Sequence, residues 1–317
     1  MNAIDPPRYA VIGNPVAHSR SPRIHALFTA QTGVRLAYER VLAPVDGFTE
    51  TVKAFFAAGG RGLNVTVPFK EDAWRLADCL SARAQTAGAV NTLWCADGRL
   101  HGCNTDGVGL VGDLQRLGAD LQGLGAGLGA GLSADTRLAG ARILLVGAGG
   151  AARGVLQPLL EAGCAQIRVV NRTAARAVAL VRDWQDAAVA VEAGSLSDAV
   201  RPGGWDVVIN ATASSLSGVA PALPTGLYAK NALAYDMMYG GGHGQSATPF
   251  MQQALADGAA HAADGLGMLV GQAAESFYLW HGVRPEVAPV LAAVRAELDA
   301  NPLDANPLDA SPPDANP

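Results

Sequence analysis

Four short stretches carry the polar side chains that could do chemistry. Ser19-Arg20-Ser21-Pro22, Asn64-Val65-Thr66-Val67-Pro68-Phe69-Lys70, Asn91-Thr92 and Asn104-Thr105-Asp106 each fall at a strand end or in a loop. Together they offer neutral hydroxyls and carboxamides with one lysine and one aspartate. That set suits a small, polyhydroxylated anion better than a lipid or a peptide. Ligands of α/β sheets collect beyond the carboxyl ends of the strands, so these groups are expected to converge on one pocket. Each member also has a plain structural use. Ser21 before Pro22 makes a good helix N-cap, Thr105 or Asp106 can cap the helix that follows, and a lone lysine is ordinarily a solvated one.

A second kind of chemistry starts at Val146. The apolar run Ile143–Val146 enters the turn Gly147-Ala148-Gly149-Gly150, and a helical pattern follows from Ala151. This order brings backbone N–H groups to a pyrophosphate. Gly147 permits the tight turn, Gly149 the close approach, and Ala152 fills the third, small position. Roughly twenty residues further on, an NAD site carries an acid for the ribose 2′-hydroxyl. Here the chain has Asn171-Arg172-Thr173-Ala174-Ala175-Arg176. Arg172 and Arg176 suit a 2′-phosphate through charge-assisted hydrogen bonds, and Arg172 can also stack on adenine. The expected cofactor is NADP(H), and the expected class a dehydrogenase or reductase. A helix-capping Thr173 between two solvated arginines is the structural alternative.

The elements that must position these groups alternate between strand and helix. A buried strand is expected at Tyr9–Ile12, and a helix from Ser21 with Ile24, Leu27 and Phe28 on one face. Strand 36–42, helix 51–58 and strand 62–67 follow, and Asp97-Gly98 marks a hairpin within 92–103. A second alternation runs through helix 109–117, strand 143–146, helix 151–162, strand 167–170, helix 174–184 and strands 189–192, 206–210 and 233–237. It fits an open parallel sheet with helices on both faces. Pro158 is expected to kink the helix that contains it. Two C-terminal helices, 266–281 and 287–298, complete the pattern. The Gly/Ala/Leu-rich segment 120–136 reads as a mobile insertion. The tail from Asp299, with its repeated Asp-Ala-Asn-Pro, reads as disordered.

The 317 residues allow two domains, and half of them are hydrophobic. A net charge of −5 without a basic block argues against nucleic acid or an anionic membrane as partner. The N-terminus lacks a signal-peptide pattern, and no run is apolar enough to span a bilayer. Cys79, Cys95, Cys103 and Cys164 show no C-x-x-C spacing, so reduced thiols in a cytoplasmic protein are expected. The six histidines are scattered and no metal is expected; His25 reads as a partly packed helix residue.

Five motifs together resemble the shikimate dehydrogenases: 14–22 (Asn-Pro-Val-Ala-His-Ser-Arg-Ser-Pro), 64–70, 88–92 (Gly-Ala-Val-Asn-Thr), 104–107 (Asn-Thr-Asp-Gly) and 264–269 (Asp-Gly-Leu-Gly-Met-Leu). The resemblance runs from about residue 9 to 298 apart from the insertion. It implies reversible NADPH-dependent reduction of 3-dehydroshikimate to shikimate, in aromatic amino-acid biosynthesis, by a monomer or homodimer. It implies two α/β domains, a substrate domain of 1–104 plus 264–298 with a mostly parallel sheet, and a Rossmann-type NADP domain of 105–263. On this resemblance Lys70 and Asp106 are the catalytic pair, and Ser19 and Ser21 hold a carboxylate with Tyr239 nearby. Asn64, Thr66, Asn91, Asp106 and Gln272 bind ring hydroxyls. Gly147, Ala148, Gly149, Gly150, Ala151, Asn171, Arg172, Thr173 and Arg176 bind NADP, with Thr212, Met237 and Gly265 at the nicotinamide end. Cys103 stands where the family often has aspartate, 210–215 departs from the commoner pattern, and the loop 240–248 is long and glycine-rich. An enzyme of the same fold acting on quinate, or on both quinate and shikimate, and a non-catalytic NADP-binding sensor are the alternative readings.

Overall fold

The computed structural model describes residues 5–123, 138–184, 187–240 and 247–300. Most of the expected insertion, most of the glycine-rich loop and the tail from 301 lie outside the described residues.

Twelve strands form two sheets of six among the described residues. The first contains β1 (Arg8–Gly13), β2 (Ala37–Leu42), β3 (Gly60–Val65), β4 (Cys79–Leu80), β5 (Thr92–Ala96) and β6 (Arg99–Cys103), in the order β2-β1-β3-β5-β6-β4. Its β2-β1-β3 half and the β4–β6 pair are parallel, whereas β3–β5 and β5–β6 are antiparallel. The β5–β6 hairpin turns at Asp97-Gly98, both at positive φ, as that dipeptide predicts. Around this sheet lie α1 (Ser21–Thr32), α2 (Phe48–Ala57), α3 (Lys70–Leu76) and α4 (Ala82–Ala87), and α5 (Asp106–Gly123) leads away from it.

The second sheet contains β7 (Arg142–Val146), β8 (Gln166–Val170), β9 (Ala190–Gly194), β10 (Trp205–Asn210), β11 (Tyr228–Asp236) and β12 (His261–Ala263). It is wholly parallel, in the order β12-β11-β10-β7-β8-β9. Numbered within the sheet this is 3-2-1-4-5-6, the doubly wound order in which the sequence of strands reverses between the first and fourth. Alternation along β7 explains why both faces are covered. Ile143 and Leu145 pack on one face with Leu110, Leu156 and Met268, and Leu144 and Val146 on the other with Trp205 and Phe250. The helices are α6 (Gly150–Glu161), α7 (Ala174–Val181), α8 (Pro249–Ala256), α9 (Leu266–His281) and α10 (Val287–Ala300). A further core joins α1, α9 and α10 through Ile24, Phe28, Val270, Phe277 and Val294.

Several local expectations need correction. Ser21 is the first residue of α1, not its cap; Arg20 holds the cap position and makes no side-chain capping bond. Pro22 still sits in the first turn, where its missing N–H costs nothing. The helix expected at 109 begins at Asp106, because the Asn104 side chain, rather than Thr105 or Asp106, accepts the Asp106 N–H at 3.1 Å. It continues to Gly123, so residues 120–123 belong to helix rather than to the insertion, and Asp299 and Ala300 belong to α10 rather than to the tail. α6 spans Gly150–Glu161, with Pro158 inside it, against the expected 151–162. His25 is fully buried rather than partly packed. α3, α4, β4 and β12 are too brief to show a hydrophobic period, and α8 is a further helix beyond those expected.

Candidate active site

Strand register gathers the first group of polar residues. Asn64 on β3 pairs with Thr92 on β5, and Thr92 pairs with Cys103 on β6. The carboxyl ends of β3 and β6 therefore meet beside the start of β5, which brings Asn91 next to Thr105 and Asp106. Asn91 Nδ2 donates to Thr105 Oγ1 (2.9 Å), Asp106 Oδ1 (2.8 Å) and Gln272 Oε1 (3.3 Å). Its Oδ1 accepts the Thr105 N–H at 2.9 Å. Asn64 Nδ2 donates to Ser276 Oγ at 2.9 Å, and Asn64 Oδ1 accepts from the Tyr38 hydroxyl at 2.7 Å. These buried groups are almost all paired with one another, which holds their remaining valences toward the open side.

Lys70 opens α3 and sends Nζ to Asp106 Oδ2 at 2.5 Å. The ion pair is largely enclosed, with 16% and 5% of the two side chains exposed. Ser19 and Ser21 lie at the entry to α1, their hydroxyls 3.2 Å apart. Arg40 on β2 donates twice to the Ser19 carbonyl, at 3.0 and 2.6 Å, and so fixes this turn. Burial raises the phenol pKa of Tyr239, which keeps it a neutral donor and acceptor.

One cleft between the two sheets is lined by all nine expected substrate residues: Ser19, Ser21, Asn64, Thr66, Lys70, Asn91, Asp106, Tyr239 and Gln272. Ala151, Thr212, Met237 and Gly265 line the same cleft from the second sheet. The remaining expected cofactor residues, Gly147, Ala148, Gly149, Gly150, Asn171, Arg172, Thr173 and Arg176, lie outside this lining, along the carboxyl ends of β7 and β8.

The glycine turn fits a dinucleotide. Gly147 has φ +114°, and a Cβ there would come within 3.1 Å of the Ala211 backbone at the end of β10. Glycine therefore lets the turn lie without strain at the point where the strand order reverses. Gly149 precedes α6 with nothing within 4 Å of the space its Cβ would take, so the helix N-terminus is open to an anion. Arg172 and Arg176 are exposed at the end of β8, and neither has an acidic partner among the described residues. Thr173 occupies the cap position of α7 without a side-chain capping bond, so its hydroxyl is not committed there. Two cradles thus face each other, and Lys70 stands between them: a Cβ on Gly150 would lie 3.3 Å from Lys70 Cβ.

Sequence reasoning missed Tyr38 and Ser276, which hold Asn64 from below. Ser276 lies one helical turn after Gln272, so the i, i+4 spacing was a usable signal. Tyr38 was not findable, because its contact with Asn64 crosses from β2 to β3 over β1, which lies between them in the sheet.

Known proteins match along the chain. Family models described as the shikimate dehydrogenase substrate binding domain, shikimate/quinate 5-dehydrogenase and the shikimate 5′-dehydrogenase C-terminal domain match residues 11–93, 131–223 and 265–295. The chain is similar to the shikimate dehydrogenases (NADP(+)) of Bordetella petrii and Bordetella avium. It is 63% identical to the first over 297 residues and 62% to the second over 296, covering 92% of this chain and 96% of each relative. Among solved structures it is similar to shikimate 5-dehydrogenase from Thermus thermophilus in complex with NADP(H) and shikimate. That match has 32% identity and a TM-score of 0.71 over 92% of this chain and 99% of the other.

Proposed function

This chain belongs to the shikimate dehydrogenase family, and from that premise we propose which of its residues carry out the NADP-dependent interconversion of 3-dehydroshikimate and shikimate. The observation that carries the assignment is the enclosed Lys70–Asp106 pair between the polar cradle of the first sheet and the glycine turn of the second.

When bound, NADP(H) supplies or accepts the hydride. In the reductive direction a C–H bond forms at the substrate carbonyl carbon, and the π electron pair passes to oxygen. Lys70 gives that oxygen a proton and stabilises its charge as it develops. Asp106 orients Lys70 through Oδ2, while Asn91 holds Oδ1, so the lysine cannot swing away without breaking a buried pair. Ser19 and Ser21, with Tyr239 nearby, hold the substrate carboxylate. Asn64, Thr66, Asn91, Asp106 and Gln272 take the ring hydroxyls. The N–H groups at 147–151 take the pyrophosphate, and Asn171, Arg172, Thr173 and Arg176 take the adenosine end with its 2′-phosphate. Thr212, Met237 and Gly265 contact the nicotinamide.

The same reading divides the chain into a substrate domain, 1–104 with 264–298, and an NADP domain, 105–263, with the site between them. It also carries a cytoplasmic location and a monomer or homodimer. Among the described residues no helix is long and apolar enough to cross a membrane.

The test is NADPH formation from shikimate, followed by its near-ultraviolet absorbance, with NAD+ and quinate in parallel. Shikimate with NADP+ is expected to turn over best. Lys70→Ala is expected to lower kcat by about 10²–10⁴-fold with NADP+ affinity unchanged. An unimpaired kcat in that variant removes Lys70 from the chemistry, and faster turnover of quinate with NAD+ overturns the substrate and cofactor assignment.

A further inference from the structure

Asp236 ends β11 and is fully buried. Its carboxylate accepts four hydrogen bonds. Thr248 Oγ1 (2.6 Å) and Ser215 Oγ (2.7 Å) donate to Oδ2, and Asn210 Nδ2 and the Met238 N–H (3.1 Å each) donate to Oδ1. With the carboxylate ionised all four partners donate to it, and Asn210 Nδ2 and the Met238 N–H can act in no other way. Burial raises its pKa, and the same four bonds oppose that rise. Among the described residues no lysine, arginine or histidine pairs with it. A buried carboxylate without a counter-cation is costly unless something offsets it.

The bonds lead straight to the cleft. Asn210 Oδ1 accepts from the Thr212 N–H (3.1 Å) and the Thr212 hydroxyl (2.7 Å), and Thr212 lines the cleft. Met237 and Met238, the next two residues after Asp236, line it as well. Thr212 and Met237 are the residues assigned above to the nicotinamide end, and the inference rests on that assignment. We propose that Asp236 is a positioning residue for the nicotinamide wall and gives it a fixed negative charge, which favours the cationic ring of NADP+ over the neutral ring of NADPH. The charge also meets the positive charge that develops on the ring as hydride departs in the reductive direction. Pyrophosphate and 2′-phosphate are common to the two forms, so the ratio of their dissociation constants isolates the ring.

The experiment measures Kd for NADPH by fluorescence titration and for NADP+ by competition, in the wild type, Asp236→Asn, Asp236→Ser and Ser215→Ala. Both Asp236 variants are expected to raise the ratio Kd(NADP+)/Kd(NADPH) by about 5- to 30-fold, the size of one charge acting through a partly screened interior. Ser215→Ala keeps the charge and removes one donor, so it should weaken the two forms together and leave the ratio in place. An unchanged ratio in either folded Asp236 variant overturns the proposal. Failure of both Asp236 variants to fold assigns the residue a structural role alone and overturns it too. Wild-type protein that binds neither form refutes the cofactor assignment itself, a result distinct from failure of the charge effect.

Discussion

Lys70 shows why residue type alone says so little. On the sequence it is one lysine before a polar run; in the fold its ammonium is enclosed against Asp106 and its aliphatic stem lies by the start of α6. Tyr38 acts one step further back. Burial holds its phenol well above its usual pKa, so the hydroxyl stays a donor, and it gives its proton to Asn64 Oδ1 at 2.7 Å. That bond decides which way the Asn64 carboxamide faces. Tyr38→Phe strips the donor from a buried carbonyl oxygen, a loss of about 1–3 kcal/mol. It should raise the KM for shikimate roughly 5- to 50-fold while leaving the KM for NADP+ unchanged. Steady-state kinetics with each substrate varied in turn would show the split, and equal rises in both constants would make Tyr38 a general packing residue. The site's polar types were legible in the sequence because hydroxyls and carboxamides cluster at loop ends. The Tyr38 contact was not, since it crosses from β2 to β3 over the strand between them.

At the scale of elements, the turn after β7 carries the most constraint. Gly147 combines a left-handed φ with close approach to the Ala211 backbone and the branched Thr212 side chain, which an added Cβ would meet at 3.1 and 3.2 Å. Gly147→Ala should therefore lower stability by about 1–3 kcal/mol and weaken NADP+ binding more than tenfold. Shikimate binding measured without cofactor should be unaffected. Urea unfolding and two separate titrations test this, and a variant that binds NADP+ as tightly as the wild type would refute the close-approach argument. The strand–turn–helix order here was readable because glycine spacing and the apolar run point the same way. The start of α5 was misread by three residues. A side chain outside the helix, Asn104, takes the first free N–H, and the sequence offered Thr105 and Asp106 as equally good candidates.

Across the whole molecule, two sheets share one cleft, and buried ionisable groups set its tolerance of acid. His25 packs against Tyr38 with ring centroids 4.1 Å apart, and neither ring nitrogen has a hydrogen-bond partner among the described residues. Burial lowers its pKa to about 3, with Asn64 nearby a smaller opposing influence. The unfolded chain binds this proton below pH ~6.5 and the folded chain does not until about 3, so stability falls as pH drops through that window. Glu275 adds a second loss at lower pH. Burial raises its pKa, but bonds and charge from Arg83 and Arg284 outweigh it and leave the value below the usual 4.5. Its contribution is present above that value and disappears as pH falls through the depressed one. Melting temperature followed from pH 7 to 4 should drop in the wild type and drop less in His25→Phe, which removes two unpaired nitrogens from an aromatic stack. Parallel curves for the two proteins would deny His25 that role.

What the sequence by itself determined is local and periodic. Apolar runs mark the strands, and a glycine turn after a buried strand with two arginines at the next strand end carries the expectation of a dinucleotide with a 2′-phosphate. Each of these signals lies within a few residues of chain, where backbone sterics and charge act directly. Tertiary structure decided what depends on distance across the chain: Lys70 against Asp106, Tyr38 beneath Asn64, and the Asp236 carboxylate behind the wall formed by Thr212 and Met237. A hydrogen bond between residues far apart in sequence has no local signature, because it forms only when sheet order and register bring its two ends together.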